Sequence, residues 1–164
     1  MVLNRQRDVA INLTDVRSFV RRLRSCLNLD GRDFNVCFVS DREIERLNGT
    51  YRGEPRATDV LAFPYDGREQ APALHEFSGF LGDIVISART ARRNARAEGN
   101  STANEIRWLI LHGLLHLLGY DHETDRGEMT ALELSLRDHL GVAGEKAGRQ
   151  EKIKGQKGRI KNQK

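Results

Sequence analysis

Residues 105 to 119 read EIRWLILHGLLHLLG, from Glu105 to Gly119, and beyond Arg107 the segment is apolar on every side except at its two histidines. A helix that is hydrophobic all round in a water-soluble chain has to be covered from several directions at once, so this one is the centre of a core. Thr102 and Glu105 form a capping box that opens it, and Gly119 closes it in a left-handed turn. The remaining elements are therefore read as what wraps this helix.

Working outward toward the N-terminus, Ala88 to Glu98 (ARTARRNARAE) is a second helix ending at Gly99. FLGDIVIS (Phe80–Ser87) and TDVLAFPY (Thr58–Tyr65) are strands, separated by a loop that contains DGREQAPALHE. DREIERLN, opened by a Ser40/Glu43 capping box and closed by Asn48 and Gly49, is a short helix, and FNVCFVS before it is a strand. VAINL (Val9–Leu13) is a further strand candidate. After it, Thr14 or Asp15 caps a helix whose Val16, Phe19, Val20, Leu23 and Leu27 recur at helical spacing. Toward the C-terminus, a helix from about Glu128 to Leu140 buries Met129, Leu132, Leu136 and Leu140 and stops at Gly141. Strands and helices alternate, yet the two middle strands are able to pair as a hairpin. The expected class is α+β: a small mixed four-stranded sheet packed with about five helices, the central buried helix carrying the histidines.

The chain has 164 residues, enough for one sizeable core. With 38% hydrophobic and 30% charged residues it reads as soluble and globular, and no apolar run approaches the roughly 18 residues of a membrane span. Cys26 and Cys37 fall within periodic apolar patterns and read as small core residues in a reducing cytoplasm. The net charge of +4 is uneven. From Glu145 on there are eight Lys or Arg against two Glu, or +6, which leaves −2 for the body. Residues 1–143 are thus expected to form one domain, and 144–164 a basic tail too poor in large apolar residues to fold by itself. Such a tail either holds a polyanion by counterion release or merely solubilises.

His112 and His116 stand four apart, on one helix face with Cβ atoms about 5–6 Å apart, near enough for both rings to reach one metal ion. Beyond the turn at Gly119, the sequence YDH brings His122 back toward them. Three neutral nitrogens leave tetrahedral Zn²⁺ one open position, the mark of a catalytic site over a closed structural one. A single buried histidine reads as a hydrogen-bonded core residue; three at this spacing do not. His75 and His139 fit that plainer reading. Spacing and glycine match the metzincin frame H-E-x-x-H-x-x-G-x-x-H at every position but the second, where Gly113 replaces the glutamate that shuttles a proton to the leaving amine. Amide hydrolysis depends on that proton. Phosphodiester cleavage depends more on neutralising charge on phosphate oxygens, so the substitution points from peptide to phosphate.

Candidate phosphate partners are basic. Arg52 and Arg56 lie in LNGTYRGEPRATDVLAF, read as a loop between a helix and a strand, with Tyr51 available to stack on a base. Arg89, Arg92, Arg93 and Arg96 share one stripe of their helix, opposite Ala88, Ala91 and Ala95; the competing reading is an ordinary wet face. Arg17, Arg21 and Arg24 repeat the arrangement on the first helix. Asp121, beside a ligand, is a candidate base or a carboxylate orienting an imidazole, the latter preferred.

HGLLHLLGYDH, preceded in order by LNGTYRGEPRATDVLAF and GDIVIS, resembles the YbeY family of bacterial endoribonucleases, or rRNA maturation factors. The resemblance spans most of residues 47 to 122 and leaves the tail outside. It implies a zinc-dependent, single-strand-specific endoribonuclease acting in 3′-end maturation of small-subunit (16S) rRNA and in ribosome quality control. By the same resemblance His112, His116 and His122 are the zinc ligands, with one Zn²⁺ per chain, and Arg52 is the catalytic-site arginine. Contacts with a small-subunit ribosomal protein and with an assembly GTPase are also implied. LAF here stands where many members have LSF. Two rivals remain at this level: a non-catalytic assembly factor with a structural zinc, and a degenerate metallopeptidase.

Overall fold

Side-chain alternation along Phe34 to Val39 sends Phe34, Val36 and Phe38 to one face of a sheet and Cys37 and Val39 to the other. The computed structural model describes residues 1–65, 79–120 and 126–142. In chain order its elements are β1 (Val2–Asn4), α1 (Leu13–Cys26), β2 (Asp33–Val39), α2 (Asp41–Arg52), β3 (Val60–Pro64), β4 (Phe80–Ser87), α3 (Ala88–Ala97), α4 (Thr102–Leu117) and α5 (Glu128–Leu140). The sheet order is β1-β2-β4-β3. β1 and β4 each run parallel to β2, while β3 pairs antiparallel with β4, so the sheet is mixed and the hairpin reading of the middle strands holds.

Phe34, Val36, Phe38, Ile84 and Ile86 are fully buried beneath α4, in one cluster with residues of α1 and α5. α4 itself is buried from Ile106 to Leu117 at all but two positions, Arg107 and His116, which bears out the expected central helix. On the opposite face Val39, Leu61 and Val85 pack with Ile44 of α2, so the sheet lies between α2 and the remaining core. None of the described helices is long and apolar enough to cross a membrane, and both cysteines are free thiols.

Several sequence expectations need correction. The segment Val9–Leu13 is not a strand; the first strand is Val2–Asn4. The side-chain amide of buried Gln6 donates to Val9 O (2.9 Å) and accepts from Val9 N (2.9 Å), taking the place of a strand partner. Neither Thr14 nor Asp15 caps α1; Asn12 does, its side chain accepting from Asp15 N. At α4 the cap is Ser101, accepting from Asn104 N, one residue ahead of the expected Thr102. α2 does not stop at Asn48 and Gly49 but continues to Arg52, closing at Gly53 with φ 70°. Both residues are used by tertiary contacts instead. Asn48 Nδ2 donates to Arg56 O (2.9 Å), and a Cβ on Gly49 would stand 3.4 Å from Pro55, so the chain after the helix folds back onto it.

Candidate metal centre

Because α4 is helical through both positions, His112 and His116 project from one face one turn apart. Their Nε2 atoms lie 3.0 Å from each other, with ring centroids 4.6 Å apart and planes at 82°. Two nitrogens bound to one tetrahedral zinc, each at about 2.0–2.1 Å, stand about 3.3 Å apart. The pair is thus within a few tenths of an ångström of a bidentate arrangement. His116 Nδ1 faces Tyr120 O at 3.1 Å; an N–H donated there leaves Nε2 as the lone-pair nitrogen. The left-handed turn that carries Tyr120 back is made by Gly119, with φ 90°. Among the described residues no group of three His, Cys, Asp or Glu suited to a metal occurs. The expected third ligand, His122, lies outside the described residues, as do Asp121 and His75.

His112 is enclosed more tightly than His116. Its ring stacks on Trp108 (5.2 Å between centroids, 23° between planes), and its Nδ1 lies 3.5 Å from Glu133 Oε2 on α5. That separation is an electrostatic contact and not a close hydrogen bond. Glu133 is buried; its Oε1 accepts from the Trp108 indole N–H and lies 4.0 Å from Arg137 Nη1. Burial alone would raise the Glu133 pKa, but His112, the Trp108 donor and Arg137 outweigh it and hold the carboxyl below its ordinary value. Sequence reasoning missed this group, although a signal was present. Glu133 follows Met129 by four and precedes Leu136 by three, a charged residue at a core position of an apolar stripe. Glu133 and Arg137 are buried there, while Leu132, expected in the core, is half-buried.

Gly113 has a steric role beside the chemical one read from the sequence. An ideal Cβ there would stand 2.8 Å from Ile84 Cγ2, so this position faces the sheet. A side chain at 113 would force Ile84 to move, so the position of the peptidase glutamate is sterically disfavoured as well as chemically vacant.

Arg52 sits on the last turn of α2, not in a loop, and is half-buried. Its neighbour Tyr51 packs edge-on against Phe63 (5.2 Å), and Phe63 pairs with Asp83. One residue earlier on β4, a Cβ on Gly82 would meet Leu117 of α4 at 3.0 Å and Phe63 O at 2.1 Å. The C-terminal turns of α2 and α4 therefore reach the same end of the β3–β4 hairpin from opposite faces, bringing Arg52 and the histidines to one end of the sheet. Burial lowers the Arg52 pKa and Glu54 opposes the shift. Arg56 is turned to another use, bonding Glu54 through Nη2 (2.8 Å) and Nε (3.0 Å).

On α3, Ala88, Ala91 and Ala95 are buried while Arg89, Arg93 and Arg96 are exposed and Arg92 half-buried, as the stripe predicts. Other arginines carry acids: Arg24 with Asp33 (3.1 Å), Arg46 with Glu43 (2.9 Å), Arg107 with Asp15 (2.8 Å). The α3 arginines form no ion pair with a described residue; Arg92 donates to Asp8 O (3.4 Å) and Arg93 to Thr90 Oγ1 (3.3 Å). The ridge begins at Ser87, the far end of β4 from the histidines. On α1 Arg24 is paired with Asp33, while Arg17 and Arg21 are exposed.

Comparison with known proteins gives a consistent result. Residues 1–141 match the family model described as Endoribonuclease YbeY. An Endoribonuclease YbeY from Nautilia profundicola is 43% identical over 132 residues, covering 80% of this chain and 89% of that one. One from Koribacter versatilis is 39% identical over 140 residues, covering 85% of each. The solution structure of a Thermotoga maritima protein aligns over 100% of both chains with a TM-score of 0.58 and 22% identity, a likeness of fold.

Proposed function

The chain belongs to the endoribonuclease YbeY family, and from that premise we propose that it cuts single-stranded RNA at a zinc site made by His112, His116 and His122, in 3′-end maturation of 16S rRNA and in ribosome quality control. As a member it is a hydrolase that cleaves RNA internally. The observation that carries the metal reading is the approach of His112 and His116 Nε2 to 3.0 Å on one face of a buried helix. Two imidazoles with their lone pairs toward one point are a zinc donor set, and His122 completes it at one ion per chain. Bound there, zinc supplies Lewis acidity toward a phosphate and lowers the pKa of water to about 7.

The protein's own groups supply the rest. Arg52 is always a cation, and its planar fork matches two oxygens of a phosphate, so it holds the scissile group and steadies charge that builds on it. Asp121, adjacent to His122, orients that ring or accepts a proton. Arg56, Arg89, Arg92, Arg93 and Arg96 contact the RNA backbone away from the reaction, Arg56 only at the expense of its bond to Glu54. The basic segment 144–164 adds affinity for polyanions without reading sequence. The proposal places the enzyme in the cytoplasm with ribosomal RNA, where a small-subunit ribosomal protein and an assembly GTPase are its expected partners.

The test is cleavage of a single-stranded oligoribonucleotide by the zinc-loaded protein, by chelated protein, and by His116→Ala. Cutting by the first alone supports the reading. Equal cutting by all three assigns the activity to a contaminant and overturns it.

A further inference from the structure

Glu133 is used by nothing in the mechanism above, yet among the described residues it is one of the few buried charged side chains, at 5% exposure. A buried carboxylate is costly unless its surroundings repay it, and replacement by an apolar residue of the same volume is often neutral or stabilising. What surrounds this one is specific. Its Oε1 takes the Trp108 indole N–H, Arg137 on the next turn of α5 stands 4.0 Å away, and Oε2 faces His112 Nδ1 at 3.5 Å. Trp108 also stacks on the His112 ring, so one residue fixes both the carboxylate and the plane of the imidazole. His116 is oriented differently, by a backbone carbonyl, at Tyr120.

We propose that Glu133 is the positioning residue for His112: facing Nδ1, it draws the ring proton there, leaves the lone pair on Nε2, and with Trp108 aims that lone pair at the point His116 also addresses. Resting on the zinc reading given above, the inference adds that the site depends on α5, an element containing none of its ligands. A histidine with an orienting partner is a better donor because neither tautomer nor ring rotation has to be selected when metal binds, and loss of such a partner weakens binding by about 10–100-fold.

The experiment uses the full chain and zinc alone, with affinity measured by competition against a chromophoric chelator. Glu133→Gln keeps the volume and the acceptor for Trp108 but removes the carboxylate. The expected result is a zinc Kd raised about 10–100-fold, an altered visible spectrum of the cobalt-substituted protein, and melting of the metal-free protein within a few degrees of the parent. Zinc affinity and cobalt spectrum equal to the parent's overturn the inference, as does weakening that merely tracks unfolding. If Glu133→Gln does not fold, Trp108→Phe decides, since it keeps the stacking ring and removes the donor to Oε1: a weaker zinc complex with an altered cobalt spectrum supports the inference, parent-like values overturn it. Failure of the zinc reading itself is distinct, because then the parent binds no stoichiometric zinc and His116→Ala changes nothing.

Discussion

A Cβ on Gly113 would come within 2.8 Å of Ile84 Cγ2, so at this point α4 meets β4 more closely than a side chain on residue 113 permits unless Ile84 moves. Gly113→Ala gains about 1 kcal/mol of helix propensity but overpacks the contact at a cost of about 1–3 kcal/mol. Net destabilisation of up to about 2 kcal/mol is expected in urea unfolding. The cost should shrink in an Ile84→Ala background, where the colliding atoms are gone; equal costs in the two backgrounds would show that the contact is not what opposes the methyl group. Gly113→Glu should unfold the chain and yield no casein hydrolysis.

The chain has a single tryptophan, and Trp108 stacks on a proposed ligand. Its emission should therefore change on titration with zinc and saturate at one equivalent. His112→Ala should abolish the response. A parent protein whose emission ignores zinc would contradict the ligand role of His112.

The α3 ridge makes a prediction about salt. Each phosphate neutralised on a single strand contributes about 0.7 to the slope of log K against log salt, so replacing Arg89, Arg93 and Arg96 together by glutamine should lower the slope by about 2. Four like charges at helical spacing repel by a few tenths of a kcal/mol per pair, so the melting temperature should hold or rise slightly. An unchanged slope would leave the ridge as a solvated face.

Cys37 lies on the α2 side of the sheet, where burial raises its thiol pKa, with Asp83 and Glu43 acting in the same direction and Arg5 opposing. A raised thiol pKa means less thiolate at any given pH, and thiolate is the reactive form. Alkylation of Cys37 by iodoacetamide, followed by mass mapping, should accelerate only at higher pH than for a free cysteine. Alkylation at the free-thiol rate near pH 8 would show that this face opens.

The central helix, strands β2, β3 and β4, the α+β class and the histidine pair were legible in the sequence, because each is written in a local pattern: apolar on every side for α4, alternation for β2, a short apolar run for β4, a four-residue interval for His112 and His116. Arg89, Arg92, Arg93 and Arg96 were legible as a stripe for the same reason. What failed were signals whose meaning depends on residues distant along the chain. Asn48 and Gly49 look like a helix end, yet Pro55 and Arg56 fold back on them and the helix runs on. Val9–Leu13 has the composition of a strand, but the amide of Gln6 takes the backbone groups of Val9. The Glu133 carboxylate beside His112, 21 residues earlier in the chain (133 minus 112), is the clearest case. A side chain's partners across a core are set by how helices dock, and docking is a property of the packed whole, so only the tertiary structure turned an odd glutamate on α5 into a neighbour of His112.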